Sequence, residues 1–207
     1  MKHKKQRDKI FSKLDSRLNV NMLVNEMNTY FWSDVHFFDK YAIKHHKRPY
    51  GTIEEMNQAI ISIWNQYIKY GDVVYFLGDF GVGAPSNLES IVKVLNGKKH
   101  FIFGNKDWDI LPEILSKNSS YSESFQMYKE IFVDQKRICM FHFPMKEWNK
   151  RHRKSWHLHG HTHGQLEPEG CSLDVGFDSR FISYEYKPIH LDEVIEFMRK
   201  KETDALS

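Results

Sequence analysis

Apolar and polar positions along the chain change period several times, and each change marks an element. Thr29–Ser33 is a continuous run of β-forming residues and predicts a buried strand, which leads into Asp34-Val35-His36. Beyond a loop, Thr52 and Glu55 have the spacing of a capping box. Met56, Ile60, Ile63, Trp64, Tyr67 and Ile68 then recur at helical intervals up to Gly71, the expected terminator. Val73–Leu77 predicts a second buried strand and ends in Gly78-Asp79. Ser86 and Glu89 have the same capping spacing, before a helical pattern through Leu88, Ile91, Val92 and Leu95 to Gly97. His100–Phe103 predicts a third strand, followed by Gly104-Asn105-Lys106-Asp107. The order β-α-β-α-β is that of a parallel sheet with right-handed crossovers.

The second half has a different rhythm. Lys129–Val133 and Arg137–Phe141 predict two strands joined by a tight turn at Asp134-Gln135, the second ending in His142. A further strand over 155–160 enters a glycine-flanked turn that carries His161 and His163. Cys171–Val175 predicts another strand, and Leu191, Val194, Ile195 and Met198 mark a C-terminal helix. The expectation is a single α/β domain over 28–207, parallel in its first half and more antiparallel in its second. Residues 1–27 form a basic extension with Ile10, Phe11, Leu14 and Leu18 at helical spacing, a candidate nucleic-acid arm or accessory helix.

Composition changes this picture little. The chain has 207 residues, 41% hydrophobic and 28% charged, as expected of one globular domain. A net charge of +3 is too small to imply a nucleic-acid partner by itself. Cys139 and Cys171 lie in strand-like settings without CxxC spacing, so they are expected to be reduced core residues of a cytoplasmic protein. No apolar run suits a membrane span or the core of a signal peptide, so no membrane partner is expected.

The chemistry gathers at the strand ends. Asp34, His36, Asp79 and Asn105 all fall at carboxyl ends of predicted parallel strands, where such sheets bind ligands. His142, His161 and His163 complete a set of carboxylates, an amide oxygen and imidazoles. One divalent ion takes about four to six ligands, so these seven residues suit two ions sharing a bridging carboxylate. Nitrogen and oxygen donors without thiolate suit manganese, the expected metal, or iron, zinc, nickel or cobalt; calcium prefers oxygen alone.

Asp34-x-His36, Gly78-Asp79, Gly104-Asn105, His142 and Gly160-His161-x-His163 resemble, in order, the five signature blocks of the calcineurin-like metallophosphoesterase superfamily. The compact chain and the Arg48-Pro49-Tyr50 segment resemble its small prokaryotic or viral members. The resemblance implies a two-sheet β sandwich flanked by helices. It implies that Asp34, His36 and His163 hold one metal, that Asn105, His142 and His161 hold the other, and that Asp79 bridges them. The implied reaction is attack of a hydroxide shared by the two ions on a phosphate ester, with a phosphodiester or nucleotide-like substrate expected. A phosphomonoesterase, a nuclease and a non-catalytic metal-bound binding module are the alternatives.

The chain departs from the family at Lys106, where many relatives carry a histidine. Lys106, Asp107 and Arg48 are the candidate catalytic residues, with Lys106 as phosphate holder or proton donor and Arg48 as phosphate clamp. The basic run Lys150–Lys154 is a candidate cationic rim beside Trp148, while Trp156 is expected in the core. Phe37, Phe38 and Trp108 are candidates for the mouth. His157 and His159 are expected to project together into burial or hydrogen bonds, and Asp174 and Asp178 are candidates to stand behind the ligands.

Overall fold

The computed structural model describes residues 28–204. The amphipathic segment expected within 1–27 lies outside them. Two sheets face one another. The first is five-stranded, in the order β4 (Ser124–Gln126), β3 (Lys98–Ile102), β2 (Val73–Phe76), β1 (Thr29–Trp32) and β9 (Ile189–His190). The second is four-stranded, in the order β5 (Tyr128–Val133), β6 (Lys136–Phe141), β7 (Trp156–His159) and β8 (Ser172–Asp174). Helices α1 (Lys40–His45), α2 (Ile53–Tyr67), α3 (Pro85–Val94), α4 (Leu111–Ser116) and α5 (Leu191–Asp204) complete the domain. Among the described residues no helix is long and apolar enough to cross a membrane.

Side-chain alternation along the strands builds two cores. Trp32, Phe76 and Phe101 pack under the helices with Met56, Ile60 and Trp64 of α2. Phe31, Leu77 and Ile102 face the second sheet and meet Ile138, Met140, Trp156 and Leu158, with Val194 and Met198 of α5. Cys139 and Cys171 are free and buried.

α2 begins as its pattern predicts. The Thr52 hydroxyl accepts from the Glu55 amide and Glu55 accepts from the Thr52 amide, a cap worth about 0.5–2 kcal/mol. Its end is earlier than predicted: Ile68 is already extended, so Gly71 has no part in it. The second capping box does not form. Pro85 is the first residue of α3 and Ala84 precedes it without a side-chain cap, so Ser86 falls inside the helix. The second sheet is also less antiparallel than expected: β5 and β6 are antiparallel, but β6, β7 and β8 run parallel.

That parallel pairing has a topological consequence. The chain must return from the ligand end of β6 to the start of β7, so the 150–154 run stands at the opposite end of the sheet from His142 and His161. Two of its cations are engaged there. Arg151 pairs with Glu147 and Glu169, each at 2.9 Å, and Lys154 donates to the Glu202 carbonyl. Trp148 is buried and donates to the Ser155 carbonyl at 3.0 Å. This segment is therefore not the cationic, base-stacking rim that its composition suggested. Trp156 is in the core, as expected.

Candidate active site

The loops after β1 and β2 continue the parallel pairing of their strands: Asp34 N donates to Gly78 O, His36 N to Asp79 O and Phe37 N to Phe80 O. From the second sheet, His142 reaches across to the Leu77 carbonyl, and the His161 amide donates to the Asp34 carboxylate. The four loops thereby close on one volume. Asp34, His36, Asp79, His161 and His163 all have left-handed backbone, with φ between 49° and 68°. Non-glycine residues rarely adopt it, and such strain concentrates at functional sites. Gly104 and Gly160 permit the close approach of these loops. A Cβ at Gly104 would strike Asp79 and His142, and one at Gly160 would strike Ser33 and Asp34.

The potential donor atoms form distinct groups. Asp34, His36 and His163 are one, Asp79, His142 and His161 another, with the atoms of each group within 4.8 Å of one another. Asp79 lies between them: its Oδ2 is 3.6 Å from His36 Nε2 and its Oδ1 is 3.5 Å from His142 Nε2. Asn105 is exposed, next to Lys106, whose amide donates to Asp79 Oδ1 at 3.0 Å.

Hydrogen bonds orient the imidazoles. His142 Nδ1 faces the Leu77 carbonyl at 2.7 Å, His163 Nδ1 faces Asp178 at 2.8 Å and His36 Nδ1 faces Asp39 at 3.3 Å. An oxygen partner sets each Nδ1 as the protonated nitrogen, leaving the Nε2 lone pair for the site. Among the described residues, three buried side-chain polar atoms have no hydrogen-bond partner, and two of them are His36 Nε2 and His142 Nε2. Burial pushes Asp34 well above the usual carboxylate range, helped by the charges of Asp174 and Asp79. Burial lowers His36, and lowers His142 to about 4. A carboxyl held up at Asp34, imidazoles held down at His36 and His142, and the orphaned lone pairs of those two rings are what bound divalent cations would compensate.

Two sequence candidates have other roles. Arg48 is buried. Its Nε and Nη2 clasp the Asp178 carboxylate at 3.0 and 2.7 Å, Nη1 donates to Val35 O and Nη2 to Asp34 O. Its guanidinium also lies 4.4 Å over the Phe177 ring. With its donors engaged inward, it supports the first ligand loop and is not placed to clamp a substrate phosphate. Asp107 is likewise buried, accepting from the amides of Asp79, Phe80 and Gly104. Burial pushes its carboxyl up to about 7 against those amide donors. It ties the β2 and β3 loops together and does not face substrate. Lys106 is exposed at the mouth. Phe37 is fully buried against Phe80, Phe38 is partly buried, and Trp108 is exposed.

Asp178 stands between His163 and Arg48, within hydrogen-bond distance of both. Burial would raise it, but the hydrogen bonds from His163 and Arg48 and the Arg48 charge hold it down to about 2. Asp174 accepts from Thr162, Gly164 and Gly176, bracing the His161–His163 turn. His157 accepts from the Met145 amide and faces the Cys139 carbonyl, which makes it a satisfied core residue. No motif pointed to His46. It is half-buried, lies on the His163 ring, and forms a third group of potential donors with His163 and Asp178.

This arrangement of strand-end carboxylates and imidazoles between two sheets is that of a metallophosphoesterase. The chain belongs to the calcineurin-like phosphoesterase superfamily, whose domain model matches residues 27–170. Members are phosphoesterase hydrolases that bind divalent metal ions. The uncharacterized protein MJ1445 of Methanocaldococcus jannaschii is 28% identical over 180 residues, covering 83% of this chain and 91% of that one. The crystal structure of the protein of unknown function AQ665 from Aquifex aeolicus is similar at a TM-score of 0.64 and 25% identity, over 83% of this chain and 99% of that one. A novel archaeal phosphodiesterase of known structure matches at a TM-score of 0.45 and 16% identity, over 80% of this chain and 100% of that one, too remote to bear on activity.

Proposed function

We propose that this protein is a dinuclear metal-dependent phosphoesterase acting on a phosphodiester or nucleotide-like substrate. The observation that carries the reading is the position of Asp79, which offers one carboxylate oxygen to each of two donor groups. Asp34, His36 and His163 would hold one ion, Asn105, His142 and His161 the other, with Asp79 between. Manganese is the expected metal. When bound, such a pair supplies Lewis-acid charge and an acidified water near neutral pH.

The chain's own residues prepare that chemistry. Leu77 O, Asp178 and Asp39 hold three imidazoles with Nε2 turned inward. Arg48 fixes the Asp34 loop from below, and Asp107 fixes the Asp79 and Gly104 loops. The exposed ammonium of Lys106, at the mouth beside Asn105, holds a phosphoryl oxygen by charge and hydrogen bond. A lysine ammonium is a poorer proton donor to a leaving oxygen than an imidazolium, which favours esters with good leaving groups.

The test is turnover of a chromogenic phosphodiester and the matching monoester in manganese, with Asp79→Ala as control. Diester turnover that disappears in the control is expected. Faster monoester turnover would transfer the assignment to a phosphomonoesterase, and no turnover with both ions bound would leave a binding module.

A further inference from the structure

The mouth of the site opens along α1, where a stair of rings leads from a ligand-bearing turn to solvent. His46 lies flat on His163, with ring centroids 3.5 Å apart and planes 15° from parallel. His45 meets His46 edge-on at 4.9 Å. Tyr41 stacks on His45 at 4.8 Å and 21°. Exposure rises along the stair: His163 and His46 are partly buried, His45 is exposed, and Tyr41 is 68% exposed.

Tyr41 and His45 are four residues apart on a short helix, so their packing alone would stabilise it slightly. That does not account for the next two steps, which leave the helix and end on a candidate ligand. The surroundings are cationic. Lys40, Lys44 and Lys47 are exposed on the same segment. Lys106 is exposed on the turn after β3, where its amide donates to Asp79 Oδ1. Two acidic groups border these lysines: Asp39, whose oxygens are engaged by His36 and the Tyr41 amide, and Glu54, exposed in the groove that Lys40 and Lys44 line. Exposed flat faces in a positive groove are how proteins hold single-stranded nucleic acid without reading its sequence.

We infer that the Tyr41–His45–His46 stair seats the bases of a single-stranded oligonucleotide whose scissile phosphate lies at the His163 end. This deepens the phosphoesterase reading and rests on it for the position of the phosphate. The lysines of α1 and its C-terminal flank take the neighbouring phosphates.

The probe is a fluorescein-labelled hexathymidylate, its Kd measured by fluorescence anisotropy on the full chain in EDTA at low salt, where no turnover intrudes. The basic 1–27 segment is common to wild type and variants, so its contribution cancels. Y41A/H45A weakens binding about fivefold or more, and Y41F/H45F, which keeps both faces, restores it. A smaller loss, equal losses in both double variants, or no binding by the wild type would overturn the inference. Turnover of the base-free chromogenic diester by the wild type reports on the phosphoesterase reading alone.

Discussion

Replacing Arg48 by methionine separates two roles for this residue. A phosphate clamp would weaken substrate binding and leave the fold intact. The structure instead gives Arg48 a paired carboxylate, Asp178, and two backbone carbonyls, Asp34 O and Val35 O, all away from bulk solvent. Methionine fills much of the volume over Phe177 but supplies no donor. It strands a buried carboxylate, and breaking a buried ion pair from one side costs about 3–5 kcal/mol. In a domain of this size, each kcal/mol moves the melting temperature by about 2–4 °C, so Arg48→Met should lower Tm by about 6–20 °C. Scanning calorimetry in EDTA reads this without metal linkage. Because Asp178 also orients His163, manganese affinity should fall about 10–100-fold. Arg48→Lys should fall between, since one ammonium cannot reproduce the fork. A Tm within about 2 °C of wild type, with a raised KM, would refute the supporting role and reinstate the clamp.

Three further outcomes follow from individual contacts. Burial holds His157 down to about 4, so the unfolded chain binds its proton first as pH falls below about 6.5; its share of stability is full above that pH and is lost toward pH 4, on the order of 3 kcal/mol. His157→Gln, which can keep both hydrogen bonds, should flatten urea-measured stability over that window relative to wild type, and an unchanged profile would contradict this. Gly160→Ala should abolish tight metal binding, measured by titration calorimetry, because the methyl group meets Ser33 and Asp34. Asp107→Asn should reduce thermal stability by about 1–3 kcal/mol and weaken manganese binding, since an amide matches three backbone donors less well than a carboxylate.

Much of the donor grouping was legible in the sequence because parallel strands place their following residues together: that Asp34 after β1 and Asp79 after β2 would lie side by side needed only strand order. The Thr52 box was legible because both of its partners are local. Elements that depend on distant packing were not. The two residues of β9 exist through pairing with β1, and α1 and α4 are too short to show a period. Ser86 looked like a cap, but the adjacent Pro85 prefers the first helical position. Residue type also misled. Arg48 and the 150–154 run look like surface cations, yet one is drawn inward by Asp178 and the other is carried to the far end of the sheet by a parallel connection. His46 was unreadable because its significance lies in a ring stack with a residue more than a hundred positions away.

A manganese titration of the metal-free chain, with diester turnover followed at each point, tests most directly whether two ions bind across Asp79. Two ions per chain, activity rising as the second site fills, and loss of both the stoichiometry and the activity in Asp79→Ala are predicted. A single ion per chain, or turnover undiminished in excess EDTA, would contradict the account.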